Sequence, residues 1–422
     1  MTEKSKTCQV VMYEADVCGR QVYDDKGMCI CHSEREDKDI SLFQKELDKI
    51  FNDDKTNRYD FTKFIFPKED WSFQGREFDK DSIFVETKFL GNANFHYARF
   101  SNANFVDSEF SGNADFVGAQ FCGKAYFTNV CFSGEVNFDI AQFCGEAYFY
   151  STTFVDYTSF HMATAKSSTL LKFDGESINE NLMWKKTTYF QSFKIEKEAV
   201  ITFRKVSMRD VQLLESNISR MEFIDVDWPR TSRWHKRRTV ADEMIDGKKD
   251  YSLIAQIYQG LQENYAGTYR YLEAGDFFVG EQEMRRRGRG RWRQYFSLNN
   301  AYRLLSYYGQ SMLLPLFWLL GVLLLIPSFL MYGGVATNLQ NKSEVVDYEW
   351  SFYISDFLLL KADYWQTFLF NFSFMAFSRS KMHDALTEPW QLALVNFEAL
   401  VVIGLVAMSL LAVRRRFKRK NF

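Results

Sequence analysis

Residues 93–121 read ANFHYARFSNANFVDSEFSGNADFVGAQF, and a phenylalanine recurs in this stretch every five or six residues. The same steps run from Phe73 to Phe160 through 17 phenylalanines, and their alternation gives a period of 11 residues. An α-helix repeats about every 3.6 residues and a flat strand about every 2, so neither produces this pattern. A short fixed period is typical of a solenoid, whose coils bury their apolar residues only against neighbouring coils.

Small side chains stand two residues before many of these phenylalanines. They are Ala93, Ala98, Ala103, Ala114, Ala119, Ala125, Ala141 and Ala147. If each phenylalanine marks one face of a coil, four faces give about 20–22 residues per coil, with coils stacked at the strand spacing of about 4.8 Å. The Asn, Asp, Ser and Gly residues between them suit the corners of such a coil.

The repeated units also carry a family resemblance. Ala-Asn-Phe occurs at 93–95 and 103–105, and Phe-Ser-Gly-Asn-Ala-Asp-Phe spans 110–116. These segments resemble the pentapeptide-repeat family, in which a central Leu or Phe follows an Ala by two residues. The resemblance implies a right-handed quadrilateral β-helix. Weaker repeats extend its expected range to 73–228, and they include Phe173, Phe193, Phe203, Met208, Leu213, Ile218 and Phe223.

Two features of the repeat segment leave alternatives open. Cys122 and Cys144 are 22 residues apart and would stack on one face of a 22-residue coil, either as a redox or metal pair or as small residues beside a corner. The segment from Phe73 to Phe160 carries 11 acidic and 5 basic side chains. Some pentapeptide-repeat proteins are acidic rods that mimic DNA, but the apolar segments later in this chain argue against that role. The net charge of −2 gives no sign of a nucleic-acid partner.

The N-terminal module, residues 1–35, has the spacing of a metal site. Cys8, Cys18, Cys29 and His32 offer four sulfur and nitrogen ligands, a set that suits tetrahedral zinc. So short a segment needs such a staple to fold, and it resembles small treble-clef-like modules. The expected zinc is structural rather than catalytic, because protein ligands fill all four positions. Cys31 competes for the third position, and unrelated surface cysteines are the alternative.

Two helical segments flank the expected β-helix. Residues 36–72 are predicted to contain an amphipathic helix that caps the open N-terminal end of the solenoid. After Trp228 a basic, irregular junction is followed by a helical period over 250–286, which predicts a helical hairpin. This linker, residues 229–294, resembles the segment that joins pentapeptide repeats to a channel-like membrane module in bacterial proteins.

Residues 295–422 are predicted to form a membrane domain. Its first part, 295–310, is amphipathic and rich in tyrosine, as is typical of a helix in the membrane interface. An uncharged run at 312–332 and a longer run at 389–413, whose one charge is Glu398, are long enough to span a bilayer.

The charge pattern predicts the orientation of these spans. Basic clusters at 285–293 and 414–420 lie on the sides of the two spans away from the intervening loop. The positive-inside rule therefore predicts a multi-pass inner-membrane protein with both termini in the cytoplasm.

The intervening loop, 333–388, contains an uncharged run of 12 residues at 366–377, which is too short to span a bilayer. We expect it to form a re-entrant pore helix shielded by protein or water. The order of span, re-entrant helix and span resembles the two-helix pore-loop domain of potassium channels, especially the bacterial group fused to pentapeptide repeats.

The filter position departs from that family. A potassium filter reads Thr-Val-Gly-Tyr-Gly and coordinates the ion through backbone carbonyls. The residues at that position here are Ser378, Arg379, Ser380, Lys381, Met382, His383 and Asp384. They include no glycine, and in a tetramer Arg379 and Lys381 would place eight positive charges near one axis. Potassium selectivity is therefore expected to be absent, and a conducting pore would favour anions or be non-selective.

Three alternatives remain for these residues. They line the ion path, they face the outer water, or the channel fold no longer conducts. Glu398 lies within an apolar run and is a functional candidate for that reason. It is expected to line the pore, to pair with Arg379 or Lys381, or to hydrogen-bond the pore helix near the membrane surface.

Two functions fit this organisation, and one class is disfavoured. The first is a homo-oligomeric pore, expected to be a tetramer in lipid, with the β-helix as a cytoplasmic sensor or docking rod. The second is a non-conducting, membrane-anchored scaffold whose β-helix binds a cytoplasmic protein partner. An enzyme is not expected, because the sequence shows no nucleophile–base set, no phosphate-binding loop and no catalytic metal spacing.

Overall fold

The structure is a computed structural model that describes residues 7–176, 183–231, 236–245, 247, 249–332, 335–336, 345–346, 365, 368 and 389–417. The chain divides into two compact units, Met1–Gly288 and Arg289–Phe422. Each unit is described separately below.

The first unit is built around a parallel β-solenoid of very short strands. In chain order they are β1 (Arg58–Asp60), β2 (Ile65–Phe66), β3 (Trp71–Ser72), β4 (Glu77–Ile83), β5 (Lys88–Phe89), β6 (Ala93–Asn94), β7 (Arg99–Asn104), β8 (Glu109–Phe110), β9 (Ala114–Asp115), β10 (Gln120–Phe121), β11 (Ala125–Tyr126), β12 (Cys131–Phe132), β13 (Val136–Asn137), β14 (Gln142–Phe143), β15 (Ala147–Tyr150), β16 (Thr153–Phe154), β17 (Thr158–Ser159), β18 (Thr164–Ala165), β19 (Leu170–Asp174), β20 (Thr188–Tyr189), β21 (Lys194–Ile195), β22 (Val200–Arg204), β23 (Val211–Gln212) and β24 (Met221–Ile224).

The described strands of the solenoid form three parallel sheets of 12, 5 and 7 strands. The 12-stranded sheet occupies two faces, because the long strands β4 and β7 continue around a corner and join them. The coil therefore has four faces, as the spacing of the phenylalanines predicts.

The strand register confirms the predicted coil length. Phe78 pairs with Phe100, Phe100 with Phe121 and Phe121 with Phe143, which are steps of 22, 21 and 22 residues. The coil lengthens later in the chain, where Phe173 pairs with Phe203, 30 residues on. Part of this longer coil, 177–182, lies outside the described residues.

The core of the solenoid consists of stacked columns of phenylalanine rings. The longest column contains Phe61, Phe84, Phe105, Phe127, Phe149, Phe173, Phe203 and Phe223. Its consecutive ring centroids are 4.7 to 5.5 Å apart. Burial of each side chain stabilises the fold by about 1.5–3 kcal/mol, and parallel rings at this distance add about 0.5–1.5 kcal/mol per pair.

The solenoid begins before residue 73, where the sequence pattern predicts its start. Its first coil starts at Arg58, because Phe61 stacks on Phe84 of the next coil and Phe66 stacks on Phe89. The irregular spacing of the first aromatic residues conceals this coil in the sequence.

The regular spacing also fails to predict two inward-facing residues in the later coils. Phe190 stacks on Phe160 with 4.6 Å between ring centroids. Trp184 pairs with Phe154 in a parallel bridge. The 30-residue coil shifts both positions out of the regular spacing, so a fixed period misses them.

A helix covers the N-terminal end of the solenoid. Helix α1 (Ile40–Phe51) places Phe43 against Trp71 with 4.9 Å between ring centroids. Its last residue, Phe51, packs on Phe61 at 5.6 Å. The apolar end of the shaft is thereby removed from water, as an exposed solenoid end requires.

Helices also cover the C-terminal end. They are the 3₁₀ turn Ile218–Arg220, α2 (Ala241–Met244), α3 (Tyr251–Gly267) and α4 (Tyr271–Arg287). Tyr265 of α3 stacks on Phe223 and accepts a hydrogen bond of 2.8 Å from the Trp228 indole nitrogen. Gly280 of α4 allows the two helices to pack closely, because a Cβ there would lie 2.5 Å from the Tyr258 ring.

Buried charges fasten this C-terminal cover. Arg237 donates two hydrogen bonds of 2.8 and 2.7 Å to the Glu243 carboxylate, and both side chains are buried. The Tyr258 hydroxyl also donates to the Glu243 carboxylate. A guanidinium nitrogen of Arg287 lies 3.4 Å from an oxygen of the same carboxylate. Breaking a pair of this kind is costly, because the remaining charge stays buried without its partner.

Asp242, the neighbour of Glu243, covers an edge of the solenoid. Its carboxylate accepts hydrogen bonds from the backbone amides of Leu213 at 3.0 Å and Leu214 at 3.2 Å. The side chain is 2% exposed, and burial raises the pKa of Asp242 to about 6 although the backbone hydrogen bonds oppose this change.

The second unit contains helices, with a short antiparallel pair of strands. They are α5 (Arg291–Tyr295), α6 (Leu298–Ser306), α7 (Leu313–Tyr332), β25 (Val335–Ala336), β26 (Val345–Val346) and α8 (Pro389–Phe417). Helices α6, α7 and α8 contact one another. Helix α6 thus occupies the middle of the predicted interfacial segment, 295–310.

The membrane prediction is supported in part. Among the described residues, one helical stretch, Pro389–Arg414, is long and apolar enough to cross a bilayer. The first predicted span gives a shorter apolar stretch, Leu313–Pro327, within α7. The predicted pore helix at 366–377 lies outside the described residues apart from residue 368.

The burial of Asp242 predicts a pH-dependent stability. In the unfolded chain this carboxyl titrates near its ordinary pKa of 3.8, so its stabilising contribution is complete below that pH and is lost as the pH rises through about 6. The Asp242→Asn variant is neutral throughout. Its free energy of unfolding should therefore rise relative to wild type by up to about 3 kcal/mol between pH 4 and pH 8. Urea unfolding of both proteins in detergent tests this, and a difference that does not change with pH would contradict it.

Candidate functional site

The four predicted metal ligands come from two local structures in the N-terminal module. The amide of Cys8 donates to the Arg20 carbonyl at 2.8 Å, and the amide of Cys18 donates to the Val10 carbonyl at 2.9 Å. These bonds hold the first two cysteines on opposite arms of a hairpin. The amide of His32 donates to the Cys29 carbonyl at 3.1 Å, which places the other two ligands in one tight turn.

The ligand atoms of this set converge on one point. Cys8 Sγ and Cys29 Sγ lie 3.4 and 3.3 Å from His32 Nδ1, and Cys18 Sγ lies 3.7 Å from Cys29 Sγ. All four atoms are within 4.8 Å of one another. A tetrahedral zinc with ordinary bond lengths separates two sulfurs by about 3.8 Å and a sulfur from a nitrogen by about 3.6 Å. The donor set therefore fits a zinc ion.

Neighbouring groups orient these ligands. His32 Nε2 donates to the Thr62 carbonyl at 3.0 Å, which leaves the lone pair of Nδ1 directed toward the sulfurs. Arg20 donates a hydrogen bond of 3.2 Å to Cys18 Sγ and supplies positive charge beside the thiols. The contact with Cys29 and burial raise the pKa of the Cys18 thiol, so this thiol is held protonated until a cation compensates its charge.

The structure separates Cys31 from the ligand set. Cys31 is fully buried but does not belong to the convergent group of described residues, so Cys29 supplies the third sulfur. The Cys31 carbonyl instead accepts a hydrogen bond of 2.8 Å from the Ile65 amide in the first coil. Lys38 donates to the Ile65 carbonyl at 2.5 Å, and burial lowers the pKa of Lys38 to about 8.

These contacts define the role of the site. The His32 ring, the Cys31 backbone and Lys38 each bond to the first solenoid coil through Thr62 or Ile65. A metal held by the four ligands would fix the module on the first coil as part of the N-terminal cover. With four protein ligands there is no open position for substrate, which is the pattern of structural zinc.

The remaining predicted site residues fall in two groups. Ser378, Arg379, Ser380, Lys381, His383 and Asp384 lie outside the described residues. Glu398 lies on α8 and is 1% exposed, so a carboxylate is buried within an apolar helix. Buried ionisable groups in such helices are strong functional candidates.

Cys122 and Cys144 follow paired residues on adjacent coils, since Phe121 pairs with Phe143. Both thiols are free and half-buried, and burial raises the pKa of Cys144. Among the described residues they belong to no group of three or more metal ligands, and a redox pair stays a prediction.

Sequence reasoning missed the groups that support the metal centre. Thr62 acts through its backbone carbonyl, which carries no side-chain signature. Arg20 lies two residues after Cys18, and a cation so close in sequence to a predicted metal-binding thiolate could have indicated this contact. The pairing of Arg237 with Glu243 had no comparable signal, because the basic junction around it reads as solvated linker.

The metal centre can be tested by the zinc content of the purified full-length protein. We expect about one zinc per chain by elemental analysis, because the four donors match a tetrahedral site. Cys29→Ser should remove the zinc, whereas Cys31→Ser should retain it. The opposite outcome for the two variants, or no zinc in wild type, would contradict the assignment.

Comparison with known proteins gives one match. Residues 73–120 match a family model described as pentapeptide repeats in nine copies. No curated protein and no solved structure shows significant similarity to the chain. The match lies inside the four-faced parallel solenoid, and its phenylalanines are the rings of the stacked columns. Over residues 73–120 the solenoid therefore matches pentapeptide repeats, as the sequence resemblance predicts.

Proposed function

We propose that this protein is a membrane-anchored scaffold whose pentapeptide-repeat β-helix binds a protein partner in the cytoplasm. The observation that carries the proposal is the combination of a solenoid covered at both ends with a helix able to cross a bilayer in one chain. A solenoid whose ends are covered keeps its side faces for contact with other molecules, and repeat proteins generally use such faces for binding.

The chemistry of the described residues supports a binding role over catalysis. The strongest cluster of reactive side chains, the Cys8, Cys18, Cys29 and His32 set, has the closed pattern of a structural metal site. The buried pair Arg237 and Glu243 fastens the cover of the solenoid and is closed to substrate by its burial. We accordingly propose a non-enzymatic function.

The membrane anchor rests on helix α8. Pro389–Arg414 is long and apolar enough for a span, and Arg414, Arg415 and Arg416 end the helix with positive charge. Under the positive-inside rule this end of the helix faces the cytoplasm. We also propose that residues 312–332 form a second span. The protein would then cross the membrane twice, with both termini in the cytoplasm.

Anchoring can be tested by washing membranes with alkaline carbonate. Wild-type protein should remain in the membrane pellet. Ile403 and Leu410 are both exposed on α8, and their replacement by Arg should release a large fraction, because a central Arg costs about 2.5–3.5 kcal/mol on insertion. The exposed Ile224 on the solenoid is the matched position, and Ile224→Arg should not change the distribution. Wild-type protein in the supernatant would contradict the anchor.

Docking can be tested in the same membranes with the full-length chain. A photo-reactive amino acid placed in turn on each of the four solenoid faces should give an adduct with another protein on at least one face. Adducts with lipid alone, or with the chain itself alone, would contradict a scaffold that binds a protein partner.

A second candidate function is an oligomeric pore of potassium-channel-like plan without potassium selectivity. The observation that favours it is the burial of the Glu398 carboxylate on α8. Helix α8 packs against α7. In the proposed pore, expected to be a tetramer, Glu398 supports the pore helix or pairs with Arg379 or Lys381.

Conductance separates the two candidates. Purified protein in a planar bilayer under a potassium chloride gradient should show a reversal potential on the chloride side if Arg379 and Lys381 line the path. Their replacement by Glu should shift this potential toward cations. If the protein passes no current under voltage or tension, the pore function is contradicted and the scaffold function remains.

A further inference from the structure

Two corners of the solenoid share an unusual backbone conformation. At each, one residue per coil has a positive φ and lies in the left-handed region, which favours Gly, Asn and Asp. One corner carries Lys63, Glu86, Asp107, Asn129 and Ser151, with φ between 51° and 58°. The other carries Gly75, Tyr97, Gly118, Ile140 and Met162, with φ between 54° and 65°. We name them the polar corner and the apolar corner.

The apolar corner exposes large side chains to water. Tyr97 is 58% exposed, Ile140 47% and Met162 40%. The Tyr97 ring covers Gly118 of the next coil, where an added Cβ would lie 2.3 Å from the ring. The three side chains therefore form a continuous strip along four successive coils, about 14 Å long at the ordinary strand spacing.

Folding does not explain these side chains. The polar corner adopts the same backbone conformation with hydrophilic residues on every coil from Lys63 to Ser151. A left-handed conformation costs free energy for any residue with a Cβ and is a marked outlier for a β-branched residue such as Ile140. Both corners thus carry the left-handed conformation, but only the apolar corner combines it with exposed apolar side chains, between Tyr97 and Met162. Exposed apolar residues held in a strained conformation point to function.

Negatively charged side chains border one side of the apolar corner. Asp115 and Asp139 lie in the columns that precede it, and Asp115 accepts a hydrogen bond of 2.9 Å from the Val117 amide. Asn94 and Asn137, at the equivalent position of adjacent coils, accept the same bond through an amide oxygen. The charge of Asp115 is therefore not required by the solenoid.

On the other side of the apolar corner the charge is balanced. Arg99 lies 3.8 Å from Glu77, and the next outward residues on that face, Gln120 and Gln142, are neutral. The strip is thus bordered by net negative charge on one side only.

We propose that the apolar corner is the docking surface of the β-helix for a protein partner with an apolar groove bordered by Lys or Arg. This inference rests on the proposed scaffold function. A convex corner fits a concave partner, such as the groove between two packed helices. A partner strand is disfavoured, because the strip runs across the solenoid strands, whose amides and carbonyls already bond between coils.

The test uses a photo-reactive amino acid in the full-length, membrane-bound protein. The probe at position 97 or 162 should form an adduct with one other protein, and the probe at 86 or 151 on the polar corner should not. The cross-linked peptide of that protein should lie in an apolar groove flanked by Lys or Arg. Adducts at the polar corner or another face alone would overturn the docking surface but leave the scaffold function in place.

Other adducts separate the remaining explanations. Adducts with a second copy of the chain alone, or with lipid alone, would overturn the proposed partner. Absence of a protein adduct from every face of the solenoid would overturn both this inference and the scaffold function.

Binding of the cross-linked protein, once purified, gives the quantitative test. Ile140→Asn with Met162→Asn should weaken binding at least about tenfold, because central apolar contacts dominate such interfaces. The same variant should unfold at an equal or higher temperature than wild type, since Asn suits the left-handed corner. Asn129→Ile on the polar corner is the matched control and should leave binding unchanged. Loss of stability together with binding would assign Ile140 and Met162 a structural role instead.

A separate variant tests the role of the negative charge of Asp115 beside the strip. Asp115→Asn keeps the hydrogen bond that Asn94 and Asn137 make on adjacent coils, so the fold should not change. It should reduce both the affinity and its dependence on salt concentration. Unchanged affinity and salt dependence would overturn the basic border assigned to the partner.

Discussion

Stacking of phenylalanine rings between successive coils is the interaction on which the first unit depends. A solenoid coil has no core of its own, so each ring is buried only by the rings above, below and beside it. Phe116, for example, stacks on Phe95 and Phe138 at 5.0 and 4.8 Å and meets Phe105 edge-on at 5.9 Å. The parallel backbone ladder and the rings enforce the same register, because a slip of one residue would turn a phenylalanine outward.

A core of this kind is open at both ends, and the structure covers each end differently. Phe43 and Phe51 of α1 lie on the first coil, and the Cys8, Cys18, Cys29 and His32 set would fix the N-terminal module on the same coil. At the other end Tyr265 continues the longest column, and buried charges hold the helical hairpin in place. The side faces remain available for binding, and the proposed docking function rests on this.

Much of this organisation was predictable from the sequence. The regular run of phenylalanines predicted the four-faced coil, and the spacing of three cysteines and His32 predicted the ligand set that the structure brings together. Trp184 and Phe190 were not predictable, because an insertion of about eight residues breaks the period that identified the others. The apolar corner was missed for another reason: Ile140 looks ordinary until its positive φ and its exposure are known together.

Covered ends and stacked columns together make the solenoid a single stable body, and native-state hydrogen exchange of the full-length protein measures this directly. With a zinc chelator, the first-coil amides of Phe61, Lys63 and Ile65 should exchange faster, because the module that bonds to this coil loosens. Amides of the central coils, such as Phe116 and Phe127, should stay protected by the rings around them. Unchanged exchange in the first coil, or rapid exchange in the central coils of untreated protein, would contradict this picture.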